Sequence, residues 1–252
     1  MKVFFTGAGP GDPELLTLKA ERILRNCRIC IYAGSLVSPA VLELIPQGAE
    51  RHDSAGMSLE EIVSIFRDAQ RRGIDVVRLH SGDPSIYGAI REQMNELDRL
   101  GVTYEVIPGV SAFQASAAAL EAELTAPEVS QAIILARTSG RTALPAEQEL
   151  ENLARTRATL CLFLSVDKME AIVSRLTKFY GEDCPAAVVY HASWPDQKIV
   201  RGILGEIAVK VKESGLGRTS LIIVGRTLAR DIPASKLYDA KFTHQFRKGE
   251  SA

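Results

Sequence analysis

Val3-Phe4-Phe5-Thr6-Gly7-Ala8-Gly9-Pro10-Gly11-Asp12-Pro13 decides how the rest of the chain is read. Its apolar half reads as a buried strand, its three glycines as a turn, and Asp12 followed by Pro13 as the N-cap and first position of a helix. A glycine turn at the carboxyl end of a first strand is where open α/β sheets bind ligands. The spacing argues against the commonest ligand of such turns. A dinucleotide fingerprint needs a third glycine where Asp12 stands, and a carboxylate after the second strand where Ile29-Cys30-Ile31-Tyr32 runs into Ala33-Gly34-Ser35. Pro10 has no amide hydrogen to offer a phosphate.

Composition narrows the function classes. The 252 residues are 46% hydrophobic with a formal net charge of −1, so nothing global points to a nucleic-acid or membrane-surface partner, and no membrane is expected. Met1-Lys2 leads directly into the first strand and no apolar run is long enough to span a bilayer, so a cytoplasmic location is expected. Cys27 and Cys30 have half the spacing of a zinc or redox site, but Cys161 and Cys184 supply no second half. With Cys27 and Cys30 on opposite faces of a strand, buried thiols are expected and no metal.

Outward from the opening stretch, strands and helices alternate. Strands are expected at Ile29 to Tyr32, Val76 to His80 and Tyr104 to Ile107. Between them, Ser58 and Glu61 form a capping box ahead of the stripe Leu59, Ile62, Val63, Phe66 and Ala69, which stops at Gly73. Ile90, Met94 and Leu97 mark another helix closed by Gly101, and Ser111 is placed to cap a helix over Ala112 to Leu120. Such alternation implies crossover connections and a mainly parallel sheet covered on both faces. Five more strands are expected at Gln131 to Ala136, Ala158 to Leu164, Ala186 to Tyr190, Ile199 to Ile203 and Ser220 to Val224, with a helix at Asp167 to Tyr180. The organisation read is an N-terminal α/β domain over 1–123, a C-terminal α/β domain over 128–233 and a polar tail over 234–252.

Three turns of the first half, Gly7 to Pro13, Ser81 to Ser85 and Pro108 to Ser111, share one form: a strand, then glycine or proline, a small polar residue and a helix. In a parallel sheet they line one edge, where glycines let a ligand approach the backbone. Capping by itself explains an Asp before Pro at 12 and 83, but it does not require Gly82.

These turns carry a resemblance. Gly7-Ala8-Gly9-Pro10-Gly11-Asp12-Pro13-Glu14-Leu15-Leu16-Thr17, with Gly82-Asp83-Pro84 and Pro108-Gly109-Val110-Ser111-Ala112, resembles the tetrapyrrole methylase family from Val3 to about Gly225. Tyr32 to Val37, Ala136 to Thr142 and His191 to Gln197 are most similar to members of its cobalamin branch. The resemblance implies two α/β domains, S-adenosylmethionine folded in a cleft between them, a tetrapyrrole substrate and a homodimer. The positions it implies for the cofactor are Pro10, Ser81, Gly82, Asp83, Ile86, Ser111, Ala112, Leu164, Ala192 and Ser220, with Ser81 standing where the family has glycine. Ser35, Arg137 and Arg141 are expected to meet the substrate, the arginines because its carboxylates need cations.

Direct displacement at a sulfonium methyl group asks the protein for orientation and exclusion of water, so no catalytic side chain is assigned. Gly109-Val110-Ser111-Ala112-Phe113 lacks the last glycine of a hydrolase elbow, and His52, His80, His191 and His244 have no ligand spacing and are expected to be packed or on the surface. The rivals are a relative acting on another macrocycle, on RNA or on a protein, a non-catalytic tetrapyrrole carrier, and a nicotinamide dehydrogenase.

Overall fold

The computed structural model describes residues 1–140, 143–235, 239–243 and 245–248. The chain divides into two compact units, Met1–Ser116 with His191–Gln197, and Ala117–Tyr190 with Lys198–Ala252.

In the first unit the elements run β1 (Lys2–Gly7), α1 (Leu18–Arg25), β2 (Ile29–Tyr32), α2 (Pro39–Leu42), β3 (Glu50–Asp53), α3 (Leu59–Arg72), β4 (Val76–His80), α4 (Ile90–Arg99), β5 (Thr103–Ile107) and α5 (Ala112–Ala119). The five strands are all parallel in the order β3-β2-β4-β1-β5. Alternation sends Val76 of β4 into a core with Phe5, Ile31, Phe66 and Leu97, and Val77 and Leu79 into another with Leu24, Cys30 and Val41. All five residues of β4 are therefore buried, as a parallel strand covered on both faces requires. Gly7 stands opposite His80, and Thr6 opposite Ile107, so the turns after β1, β4 and β5 start level with one another.

Two expectations are corrected. Asp12 caps only a 3-10 turn, Pro13–Leu15; α1 starts five residues later, at Leu18, with Thr17 Oγ1 accepting the Ala20 amide. Leu15 and Leu16 turn the chain before the regular helix begins. Cys27 lies ahead of β2, so strand alternation does not govern it; it shares a core with Cys30. The interaction of the two thiols lowers the Cys27 pKa and raises that of Cys30. All four cysteines are free and buried.

The margins of this sheet are polar. The edge strand β3 reads Glu50-Arg51-His52-Asp53, and Arg72 of α3 reaches both Glu50 and Asp68. On the other edge, Glu105 of β5 is paired with Lys2 and Lys19.

The second unit holds β6 (Ile133–Arg137), α6 (Leu150–Ala154), β7 (Thr159–Phe163), α7 (Met169–Tyr180), β8 (Pro185–Tyr190), β9 (Lys198–Ile203), α8 (Leu204–Ser214) and β10 (Ser220–Val224). Its sheet has the order β6-β7-β10-β8-β9, parallel only between β6 and β7. One face packs Leu160, Leu162, Val188 and Ile222 against Ile172, Leu176 and Ile207 of α7 and α8. No described helix is long and apolar enough to cross a membrane.

Candidate functional site

The three level turns of the first unit converge on backbone. Gly9 and Gly82 exchange hydrogen bonds, Gly82 N to Gly9 O at 2.8 Å and Gly9 N to Gly82 O at 3.2 Å, and Ala8 N donates to His80 O at 2.7 Å. Gly109 is pressed so closely against them that a Cβ there would lie 2.2 Å from Gly82 O and 2.9 Å from Gly7 Cα. These glycines are needed for contact between turns. Gly82 differs: its φ is +62°, and a Cβ would make only ordinary contacts, the nearest at 3.5 Å to Ser111 Cα. It faces Ser111 and Ala112 at the start of α5.

Asp83 does more than cap a turn. Its Oδ1 accepts the amide and hydroxyl of Ser85, and its Oδ2 accepts the Gly109 amide at 2.9 Å. Burial alone would raise its pKa, but the hydrogen bonds from Ser85 and Gly109 outweigh it and hold the carboxyl below its ordinary value. Asp83 does not cap a helix, as an Asp before Pro would suggest: residues 84–87 form a turn, and α4, the helix expected to carry Ile90, begins at Ile90 after Ala89 at φ 48°. Ser111 is 3% exposed, and at the head of α5 the closing bond runs from its amide to Gln114 Oε1 at 2.9 Å.

Beneath these turns, Arg78 and His80 point to one face of β4. Arg78 Nε donates to Gln93 Oε1 at 3.0 Å, and burial lowers the guanidinium pKa to about 10. Burial, helped by the Arg78 charge, pushes the His80 imidazole down to about 3, so it is neutral; its Nε2 is buried without a partner.

Residues 191–197 complete this cluster; the sequence marks the stretch as part of the resemblance but gives a site role only to Ala192 among them. Trp194 Nε1 donates to Pro10 O at 2.7 Å, and Ser193 Oγ accepts the Asp12 amide at 3.0 Å. The signal is non-local, since 184 residues separate Trp194 from Pro10. Ser38 Oγ donates to Gly11 O. Thus Pro10, Ser81, Gly82, Asp83, Ile86, Ser111, Ala112 and Ala192 belong to one unit, most of them at one sheet edge; Ser35 lies exposed in the turn after β2 at that same edge.

In the second unit, Leu164 (φ 53°, 62% exposed) directly follows β7, and Ser220 opens β10, at the same end of that strand pair. Ser220 Oγ donates to Gly217 O at 2.7 Å. Arg137 ends β6 at this end too, its guanidinium donating to Thr138 O and Ala143 O. Arg141 lies outside the described residues, as does His244. Residues 138 and 139 are anchored: Thr138 N donates to Ser165 Oγ at 3.0 Å, Ser139 Oγ to Glu149 Oε1 at 2.5 Å, and Lys168 Nζ to Ser139 O. Arg175 holds Glu149 and Glu151 in turn and brings the Glu151 carboxyl down to about 2. Nothing local in the sequence marked Glu149 or Arg175.

A profile of the Tetrapyrrole (Corrin/Porphyrin) Methylases matches residues 2–208. The chain belongs to the tetrapyrrole methylases. Among its relatives in this family are the cobalt-precorrin-4 C(11)-methyltransferase of Methanocaldococcus jannaschii, 50% identical over 98% of this chain and 96% of the relative, and the precorrin-4 C(11)-methyltransferase of Pseudomonas aeruginosa, 51% identical over 99% and 100%. The crystal structure of a cobalt precorrin-4 methyltransferase superposes with a TM-score of 0.88 at 42% identity, covering 90% of this chain and 96% of that one. A uroporphyrin-III C-methyltransferase from Thermus thermophilus, complexed with S-adenosylhomocysteine, gives 0.75 at 32%, covering 90% and 99%. The two-sheet α/β architecture is thus that of tetrapyrrole methyltransferases, as the opening stretch implied.

Proposed function

We propose that this tetrapyrrole methylase transfers a methyl group from S-adenosylmethionine to C11 of precorrin-4 or its cobalt-bearing form, giving the corresponding precorrin-5. The observation that carries the cofactor assignment is the charge of the turn cluster. Asp83 is held ionised there, and residues 7–13, 81–88 and 107–112 contain no lysine or arginine. Such a cluster suits a sulfonium cation and ribose hydroxyls and repels a phosphate. Glycine at 82 leaves the backbone approachable, so the residues present fit the group.

When bound, the cofactor supplies an activated methyl group with a neutral thioether as leaving group. The chain's own part is placement: Gly82, Ser111 and Ala112 form a wall without bulky side chains, and Asp83 fixes the turns that carry them. Leu164, Ala192 and Ser220 are proposed for the same cofactor on the resemblance of the sequence to the family's motifs. Arg137, Arg141 and Ser35 are assigned to the macrocycle's carboxylates and rim. The names of the relatives at about 50% identity support the precorrin-4 substrate. Four free thiols fit a reducing cytoplasm, and the family likeness supports a homodimer, which sedimentation equilibrium tests.

The decisive experiment incubates the protein with S-adenosylmethionine and each available precorrin and reads products by mass spectrometry. One methyl added to precorrin-4 alone is expected. Methylation of an earlier macrocycle instead would reassign the substrate, and calorimetry without any S-adenosylhomocysteine binding would leave a tetrapyrrole carrier.

A further inference from the structure

Each residue of the Gly9–Asp12 turn is fastened from elsewhere in the first unit. Gly9 is paired with Gly82, Pro10 O takes the indole N–H of Trp194 at 2.7 Å, Gly11 O takes the Ser38 hydroxyl, and Asp12 N donates to Ser193 Oγ at 3.0 Å. The indole also covers Gly11 so closely that a Cβ there would fall 2.0 Å from its Cδ1. Behind it the His191 ring stacks at 4.2 Å and 23°, and His191 Nδ1 is bonded to Asp196 at 2.9 Å. His191 and Ser193 have φ of 48° and 69°, a left-handed backbone that non-glycine residues keep only where their surroundings impose it. A strained, stacked and doubly hydrogen-bonded segment aimed at one turn is more than loop packing.

We propose that Trp194 is a positioning residue, which sets the conformation of the Gly9–Asp12 turn through its bond to the Pro10 carbonyl and thereby the affinity for the cofactor. The inference rests on reading that turn as part of the S-adenosylmethionine site. Without the indole N–H, the buried Pro10 carbonyl loses its donor and the turn leaves its binding-competent conformation for part of the time. Apparent affinity falls by that fraction. Bonds to the tetrapyrrole, assigned to Ser35 and the Arg137 loop, are untouched.

Trp194 is the one tryptophan of the chain, so its emission reports directly on this contact. The full-length protein is titrated with S-adenosylhomocysteine, followed by tryptophan fluorescence and by calorimetry. A change in emission that saturates with the calorimetric binding curve is expected. Trp194→Phe keeps the ring and removes the donor, and should weaken S-adenosylhomocysteine binding about tenfold, the scale of one buried hydrogen bond left unmade, with the KM for the tetrapyrrole near its native value and the melting midpoint lowered by no more than a few degrees. Gly11→Ala keeps the tryptophan but displaces it, and should shift the emission and weaken binding alike. Unchanged affinity in both variants, with the native protein binding normally, overturns the positioning role and leaves the proposed function standing. Parallel losses of cofactor affinity, tetrapyrrole KM and melting midpoint overturn it as well, as general loss of structure. Absence of binding by the native protein overturns the function itself.

Discussion

Asp83 Oδ2 accepts the Gly109 amide hydrogen at 2.9 Å while its Oδ1 takes the Ser85 amide at 2.8 Å, so one carboxylate fastens the turn after β4 to the turn after β5. Asp83→Asn sets an amide donor against an amide donor at one of these two places. Loss of about 1–3 kcal/mol of stability is expected in urea denaturation, together with weaker S-adenosylhomocysteine binding. Because the folded pKa lies below the unfolded one, Asp83's contribution is complete above the ordinary carboxylate range and disappears as pH falls through the lowered folded value. The variant's loss should therefore shrink under acid.

Two neighbouring glycines should respond to different degrees. Gly109→Ala drives a Cβ into backbone at 2.2 Å, which cannot rotate aside, and should cost about 3 kcal/mol or prevent folding. Gly82→Ala meets nothing nearer than 3.5 Å and loses only the preference of glycine for φ +62°, about 1–2 kcal/mol. Gly82→Leu should fold and lose cofactor binding, because its side chain enters the space left for the ligand. Denaturation curves and calorimetry on the three proteins check the order.

His80 predicts an acid-sensitive core. Folded His80 stays neutral down to about pH 3, whereas the unfolded imidazole takes up a proton near 6.5. Below pH 6.5 the unfolded state thus binds the extra proton, and stability falls by up to about 1.4 kcal/mol per pH unit. His80→Leu should flatten that part of the profile. An unaltered slope would assign it to other groups.

The loop after β6 offers a substrate-specific test. Ser139→Ala and Arg175→Met each release the bracing of residues 138–140 through Glu149, and Arg141→Ala removes a cation assigned to the substrate. Each should raise the tetrapyrrole KM several-fold and leave S-adenosylhomocysteine affinity unchanged. Equal losses of both would detach this loop from the substrate.

Periodicity revealed most of the fold, because buried parallel strands such as Val76 to His80 advertise themselves and Ser58, Glu61 and Gly73 mark both ends of α3. It failed at β3, whose Glu50-Arg51-His52-Asp53 has no apolar alternation and becomes a strand only by pairing with β2. It also placed the first helix too early, since a cap such as Asp12 starts a turn without committing the next residues to a regular helix. At the site, Gly82 and Asp83 were legible as a motif. The bond from Asp83 to Gly109 and the one from Trp194 to Pro10 were not, because they join residues 26 and 184 positions apart that meet only in the folded chain.

The polar margins of the first sheet have a consequence for the chain while it folds. An all-parallel sheet is assembled from distant segments and closes slowly, so its outer strands stand open to other chains for longer than a hairpin would. Charges along β3 and the Lys2–Glu105–Lys19 cluster on β5 make both margins poor templates for a strand from a neighbouring molecule. Replacing Glu50 and Glu105 with valine should leave the mature enzyme little changed and send nascent protein into inclusion bodies.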